Sequence, residues 1–238
     1  MQSRVTASAL VLATAAALAA CGDSDNPVAT PIANTTVRFF NAVNALALDI
    51  AQNGTVLSGN GNIPFGTASP CIEVNDANPQ LSIRAAGTTT DLAGFTPAFS
   101  AGNTYTVLVT GTAASPVFTT LDDQFTPPGA NTAGVRVINA TTSASAGTGI
   151  WDIYVNPGAT PGTPNATAVA RNSASPFLTV PAGQTNTLRL TNAGQTVRLQ
   201  DIAVPSLAEG TATSIVVTDP ATAGGTSFDA FTLPPCAT

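Results

Sequence analysis

The body of this chain is written twice, and that constrains what it can fold into more than any other feature. Val37-Arg38-Phe39-Phe40-Asn41-Ala42 returns as Val135-Arg136-Val137-Ile138-Asn139-Ala140, and Leu48-Asp49-Ile50 as Trp151-Asp152-Ile153. Asn53-Gly54 returns as Asn156-Pro157, and Ala68-Ser69-Pro70-Cys71-Ile72-Glu73-Val74 as Ala174-Ser175-Pro176-Phe177-Leu178-Thr179-Val180. Leu81-Ser82-Ile83 aligns with Leu188-Arg189-Leu190. Late in each copy, Ala101-Gly102-Asn103-Thr104-Tyr105-Thr106-Val107 parallels Glu209-Gly210-Thr211-Ala212-Thr213-Ser214-Ile215. The matches keep their order and the offset grows along the chain, so the second copy carries loop insertions. Ordered self-similarity of this kind means one structural unit used twice.

Each matched segment alternates apolar and polar residues over a few positions and is bounded by Gly, Pro, Asn or Asp, which is the pattern of short strands. Tyr105, Val107 and Val109 share one side of such a strand, with Thr104, Thr106 and Leu108 on the other. No segment has a long helical period with caps. Several short strands per copy predict an all-β chain of two tandem antiparallel β-sandwich domains. The expected units are residues 36–126 and 134–238, joined by a stiff linker over 127–133 that contains Pro127-Pro128-Gly129.

Composition removes whole classes of chemistry. The 238 residues contain no His, and all seven basic residues are Arg. The usual general base near neutral pH and the commonest transition-metal ligand are therefore missing. Without Lys there is no Schiff-base or phosphate-loop lysine. A net charge of −6 with no basic stripe argues against nucleic-acid binding and against attraction to anionic headgroups. No cofactor is expected.

The N-terminus predicts an address. Arg4 is the only charge of residues 1–20, Val5 to Leu18 is apolar, and small residues follow. That core is shorter than the roughly 20 residues a spanning helix needs. Leu18-Ala19-Ala20-Cys21 resembles the lipobox of bacterial lipoproteins. The resemblance implies cleavage before Cys21 and acylation of Cys21, so that membrane contact comes from lipid. Gly22 rather than Asp follows the Cys, which in that pattern favours the outer membrane, facing the periplasm or the cell surface. Residues 21–35, with Pro27 and Pro31, read as a flexible tether.

Taken in order, Val-Arg-x-x-Asn-Ala, (Leu/Trp)-Asp-Ile, Ala-Ser-Pro-x-(Ile/Leu)-x-Val and the late Ala-Gly-x-x-Tyr-Thr-Val strand resemble domain-of-unknown-function family 4397. That family occurs in bacterial exported proteins, and the resemblance implies an immunoglobulin-like or related β-sandwich. It covers residues 36–125 and 134–235, with the second copy departing at Thr213, where the first has Tyr105. It brings no catalytic or binding residues with it.

Few residues stand out as candidates for a site. Arg38 with Asp49, and Arg136 with Asp152, are opposite charges placed alike in both copies. If the first two strands form a hairpin, these residues face outward and pair across strands. Asn41 and Asn139 precede turns, where Asn bonds its own backbone. Once Cys21 is acylated, Cys71 and Cys236 are the remaining thiols. Either they join as a disulfide that clamps the tail of the second unit onto the first, or Cys71 is a core residue, as Phe177 is at the matching place. Asp122-Asp123 is the one adjacent carboxylate pair in the body of the chain. Neighbouring strand residues face opposite ways, so the pair is expected to be solvated rather than an acid/base couple. Trp151, Tyr105 and Tyr154 are scarce aromatics, and Trp151 is expected in a core.

Three functions compete. A non-enzymatic envelope lipoprotein that binds a protein or glycan partner, or acts as a spacer, accounts for the duplication and the missing residue types. A carbohydrate-binding surface module needs exposed aromatic platforms. A carboxylate- or Ser-dependent hydrolase lacks any Gly-x-Ser-x-Gly motif.

Overall fold

A computed structural model describes residues 35–75, 77–142, 148–221 and 227–236. The leader, Cys21 and almost all of the tether lie outside the described residues. Every assigned element is a strand, and each copy contributes nine. The first unit has β1 (Thr35–Asn41), β2 (Leu48–Gln52), β3 (Thr55–Val56), β4 (Thr67–Ala68), β5 (Ile72–Val74), β6 (Leu81–Ala85), β7 (Asp91–Phe95), β8 (Thr104–Thr112) and β9 (Ser115–Asp122). The second has β10 (Thr132–Asn139), β11 (Trp151–Val155), β12 (Ala166–Val169), β13 (Ser173–Ala174), β14 (Leu178–Pro181), β15 (Asn186–Asn192), β16 (Arg198–Val204), β17 (Ala212–Thr218) and β18 (Asp229–Leu233).

Both units use one topology. In the first, a sheet ordered β4-β1-β8-β9, with β5 also on β1, faces a sheet ordered β3-β2-β6-β7. In the second, β13-β10-β17-β18, with β14 on β10, faces β12-β11-β15-β16. The expectation of antiparallel sheets is corrected here: β1 runs parallel to β8, and β10 parallel to β17. Turn chemistry joins sequence neighbours into hairpins, but the first strand finds its partner only when the sandwich closes. The strand order also separates β1 from β2, whereas an immunoglobulin constant-type sandwich keeps its first two strands in one sheet.

The Ala-Ser-Pro motif marks where β1 changes partner. Phe40 pairs with Ala68 but Val37 with Ile72, a slip of one residue, and Ile138–Ala174 and Val135–Leu178 repeat it. Ser69 Oγ accepts from Phe39 N and donates to Pro70 O, filling the gap that the slip opens; Ser175 does the same with Val137 N and Pro176 O. A bulge otherwise leaves a ladder group unpaired.

Alternation then builds three cores. Val37, Phe39, Leu48, Ile50, Ile83, Tyr105, Val107 and Val109 fill the first sandwich. Val135, Val137, Trp151, Ile153, Leu188, Leu190, Ile215 and Val217 fill the second, with Phe228 5.4 Å from the Trp151 ring. The intervening residues Phe40, Leu108 and Leu121 pack on Ile138, Val216 and Leu233, forming a third core between the units. The four sheets therefore stack in layers, with the β1 and β10 sheets inside. This explains why β1, β8, β10 and β17 are buried almost end to end: both of their faces are covered. Gly66 permits a close approach between the units, because a Cβ there would run into the ring of Phe231.

Candidate functional site

The inter-unit layer is where the repeated charged residues meet. Arg38 sits at the middle of β1, opposite Thr106 of β8, and Arg136 at the middle of β10, opposite Ser214 of β17. Alternation turns both away from their own sandwich cores, as the sequence suggests, but that face is the junction and not solvent. Arg38 Nε donates to Thr106 Oγ1 at 2.9 Å, and Arg136 Nε to Ser214 Oγ at 2.8 Å. Arg38 Nη2 reaches Asp123 Oδ2 at 3.1 Å, while Arg136 Nη2 donates to Asp123 Oδ1. The remaining bonds go to main-chain carbonyls, Arg38 Nη1 to Pro234 O and Arg136 Nη1 to Asp122 O. The Arg136 guanidinium also stands 4.8 Å from the centroid of the Phe177 ring. Burial lowers the Arg38 pKa; Asp123 opposes that, and Arg136 alongside adds to the lowering.

The expected pairs Arg38–Asp49 and Arg136–Asp152 do not form. β1 and β2 are not a hairpin but lie in different sheets. The arginine points into the junction and the aspartate points out of the far sheet, so a sandwich separates them. Asp49 instead accepts from Asn62 N at 2.6 Å and Gly87 N at 2.8 Å. Asp152 accepts from Ala168 N at 3.0 Å and Gly194 N at 2.7 Å. In each unit one carboxylate pins two separate segments, and all four donor residues have positive φ. Asn41 and Asn139 are fasteners of the same kind. Asn41 accepts from Val43 N and donates to Leu46 O and Ile63 O; Asn139 accepts from Thr141 and donates to Gly149 O and Val169 O.

Asp123 is the residue that sequence reading passed over. It was expected to be solvated; its side chain is 8% exposed. Alternation did apply to the pair. Asp122 faces outward and accepts from Asn103 Nδ2 and Gln124 N, so Asp123, one residue on, faces in. The only signal for its role was two arginines at matching places with no other shared partner.

Cys71 and Cys236 are joined in a disulfide that ties the segment after β4 to the end of the second unit. Their Cα atoms lie 5.8 Å apart, within the usual range. The tail Pro234–Cys236 is thus held between the units, with a cavity on each side. One, of about 460 Å³, is lined by Arg38, Asp123, Phe125, Phe177, Leu233 and Pro235, together with Gly210–Ser214. The other, of about 420 Å³, also touches Arg38. Among the described residues no three His, Cys, Asp or Glu side chains converge as a metal site would require.

With this geometry in place, the comparisons with known proteins are narrow. Residues 35–147 match the family model DUF4397. DUF4397 is described as a domain of unknown function, and the matched span runs from β1 through β10. It therefore includes Arg38, Asp123 and Arg136 together. No curated protein matches the chain in sequence. Among solved structures, the chain is similar to CBMbc, a family CBM26 protein from Eubacterium rectale Amy13K solved in complex with maltoheptaose. The sequence identity is 13%, covering 86% of this chain and 98% of that one, with a TM-score of 0.28. A score that low carries neither fold detail nor ligand across.

Proposed function

We infer that this chain is a non-enzymatic lipoprotein of the cell envelope, whose DUF4397 domain and its second copy form one rigid binding or spacing block. The observation that carries the reading is the Cys71–Cys236 bond across the two units. Such a bond belongs to an oxidising compartment, which agrees with the export leader and the lipobox ending at Cys21. The shared apolar layer and the Asp123 bridge make the units move together, as suits a module that presents a fixed surface. Acylated Cys21 holds the block to the outer membrane, and the tether sets its reach. The second copy is a further unit of the DUF4397 kind, supported by its identical strand order. The carbohydrate-platform reading loses its best residue, since Trp151 is fully buried and Tyr105 and Tyr154 are nearly so.

The test is metabolic labelling with a palmitate analogue and membrane fractionation of the wild type and Cys21→Ser, followed by protease shaving of intact cells. Loss of label and of membrane partitioning in the variant supports the reading. A variant that still partitions with membranes sinks it.

A further inference from the structure

The junction between the units holds more positive charge than it balances. Arg38 and Arg136 are 4% and 3% exposed, and among the described residues both find their ion pair in the single carboxylate of Asp123. Their other partners are neutral oxygens: Thr106 Oγ1, Pro234 O, Ser214 Oγ and Asp122 O. Among the described residues no other carboxylate makes an ion pair with either arginine, and Glu73 on the neighbouring β5 is exposed. Asp122 is held on the solvent side by Asn103 and Gln124, and Glu209 is exposed. A buried cluster of net +1 therefore sits inside a chain whose net charge is −6. An unbalanced buried charge is costly unless something completes it.

Arg38 also lines the cavity of about 460 Å³, a volume in the range of small-molecule sites. Phe125, Phe177, Leu233 and Pro235 make much of the remaining wall apolar. An anion with a hydrocarbon body matches both properties. A neutral apolar molecule would leave the charge as it is, and a fully polar anion would waste the aromatic wall.

We propose that this inter-unit cleft binds a small amphipathic carboxylate, with its acid group on Arg38 and its body against Phe125, Phe177 and Leu233. A carboxylate on a guanidinium forms charge-assisted hydrogen bonds, the stronger kind. The site is independent of lipid anchoring and stands whether or not Cys21 is acylated.

The full chain carrying Cys21→Ser, which needs no detergent, is titrated with sodium octanoate and separately with 1-octanol. Calorimetry and amide chemical shifts are the readouts. Octanoate is expected to bind at one site at least about tenfold more tightly than octanol, the difference a charged hydrogen bond supplies. Its shifts are expected to centre on Phe125, Phe177 and residues 210–214. Arg38→Gln removes the preference for the acid. Gln124→Trp, at an exposed lining position, fills the cavity and weakens binding at least about tenfold while leaving the charge cluster intact. If Arg38→Gln does not fold, the octanol comparison and Gln124→Trp still decide. Equal affinity for acid and alcohol, no saturable binding, or shifts mapping outside the cleft would each overturn the proposal.

Discussion

Arg38 and Arg136, equivalent residues of the two repeated units, meet on the two oxygens of one carboxylate, that of Asp123. The duplication therefore produces more than two similar bodies in a row. It places the same buried cation twice at one junction, and a single residue just after β9 holds both.

Removing that carboxylate isolates two buried charges. Asp123→Ala is expected to cost about 3–5 kcal/mol in denaturant unfolding, the usual effect of taking one partner from a buried ion pair. Asp122→Ala, at the exposed neighbour, is expected to cost less than about 1 kcal/mol. Equal losses at both positions would show that the bridge is not what stabilises the junction.

The covalent link acts on the unfolded chain. Cys71 and Cys236 are 165 residues apart in sequence, so their bond restricts a large loop. The double variant Cys71→Ser, Cys236→Ser, or reduction of the wild type, is expected to lower stability by about 2–5 kcal/mol. Urea midpoints measured with and without reductant check this, and an unchanged midpoint counts against it.

Asp49 and Asp152 make a matched pair of tests, one in each unit. Replacing either by Ala leaves two backbone N–H groups without their acceptor, at about 1–3 kcal/mol for each buried group. Hydrogen exchange should quicken at Asn62 and Gly87 in Asp49→Ala, and at Ala168 and Gly194 in Asp152→Ala. Exchange that quickens equally in both units after one substitution would contradict the local role.

Two surface carboxylates give a pH dependence. A hydrogen bond from Arg84 holds the Asp91 pKa below the ordinary value, and one from Arg189 does the same for Asp201. Unfolded Asp titrates near about 3.9. Between that value and the lower folded ones, the unfolded chain binds more protons, so stability rises with pH there. The contribution is complete above the unfolded pKa and is lost as pH falls through the folded values. Melting temperatures measured from pH 6 down to about 2 should decline less steeply in Asp91→Asn, Asp201→Asn than in the wild type. A parallel decline would remove these two groups from the acid response.

Much of this molecule is legible in its sequence. The repeated motifs gave two β-units because period-two alternation and turn residues act locally. Tyr105, Val107 and Val109 line a core that their spacing alone could assign. What could not be read was partnership across the chain. Sequence adjacency suggests a hairpin between the first two strands, and with it a pair between Arg38 and Asp49. Closure of each sandwich instead sends β2 to the other sheet and sets β1 beside β8 in parallel. Asp123 looked like a loop carboxylate because nothing in Asp122-Asp123 says which residue will meet a second unit.

That the fold is one strand pattern used twice follows from local chemistry, since alternation and turn chemistry are properties of neighbouring residues. Tertiary structure alone decided that the polar-looking faces of β1 and β10 would be pressed together. That choice rests on contacts between residues far apart in sequence: Phe40 and Leu108 on Ile138 and Val216, Cys71 on Cys236, and two arginines on one aspartate. No local signal encodes these contacts, because their free energy exists only once both surfaces have been formed.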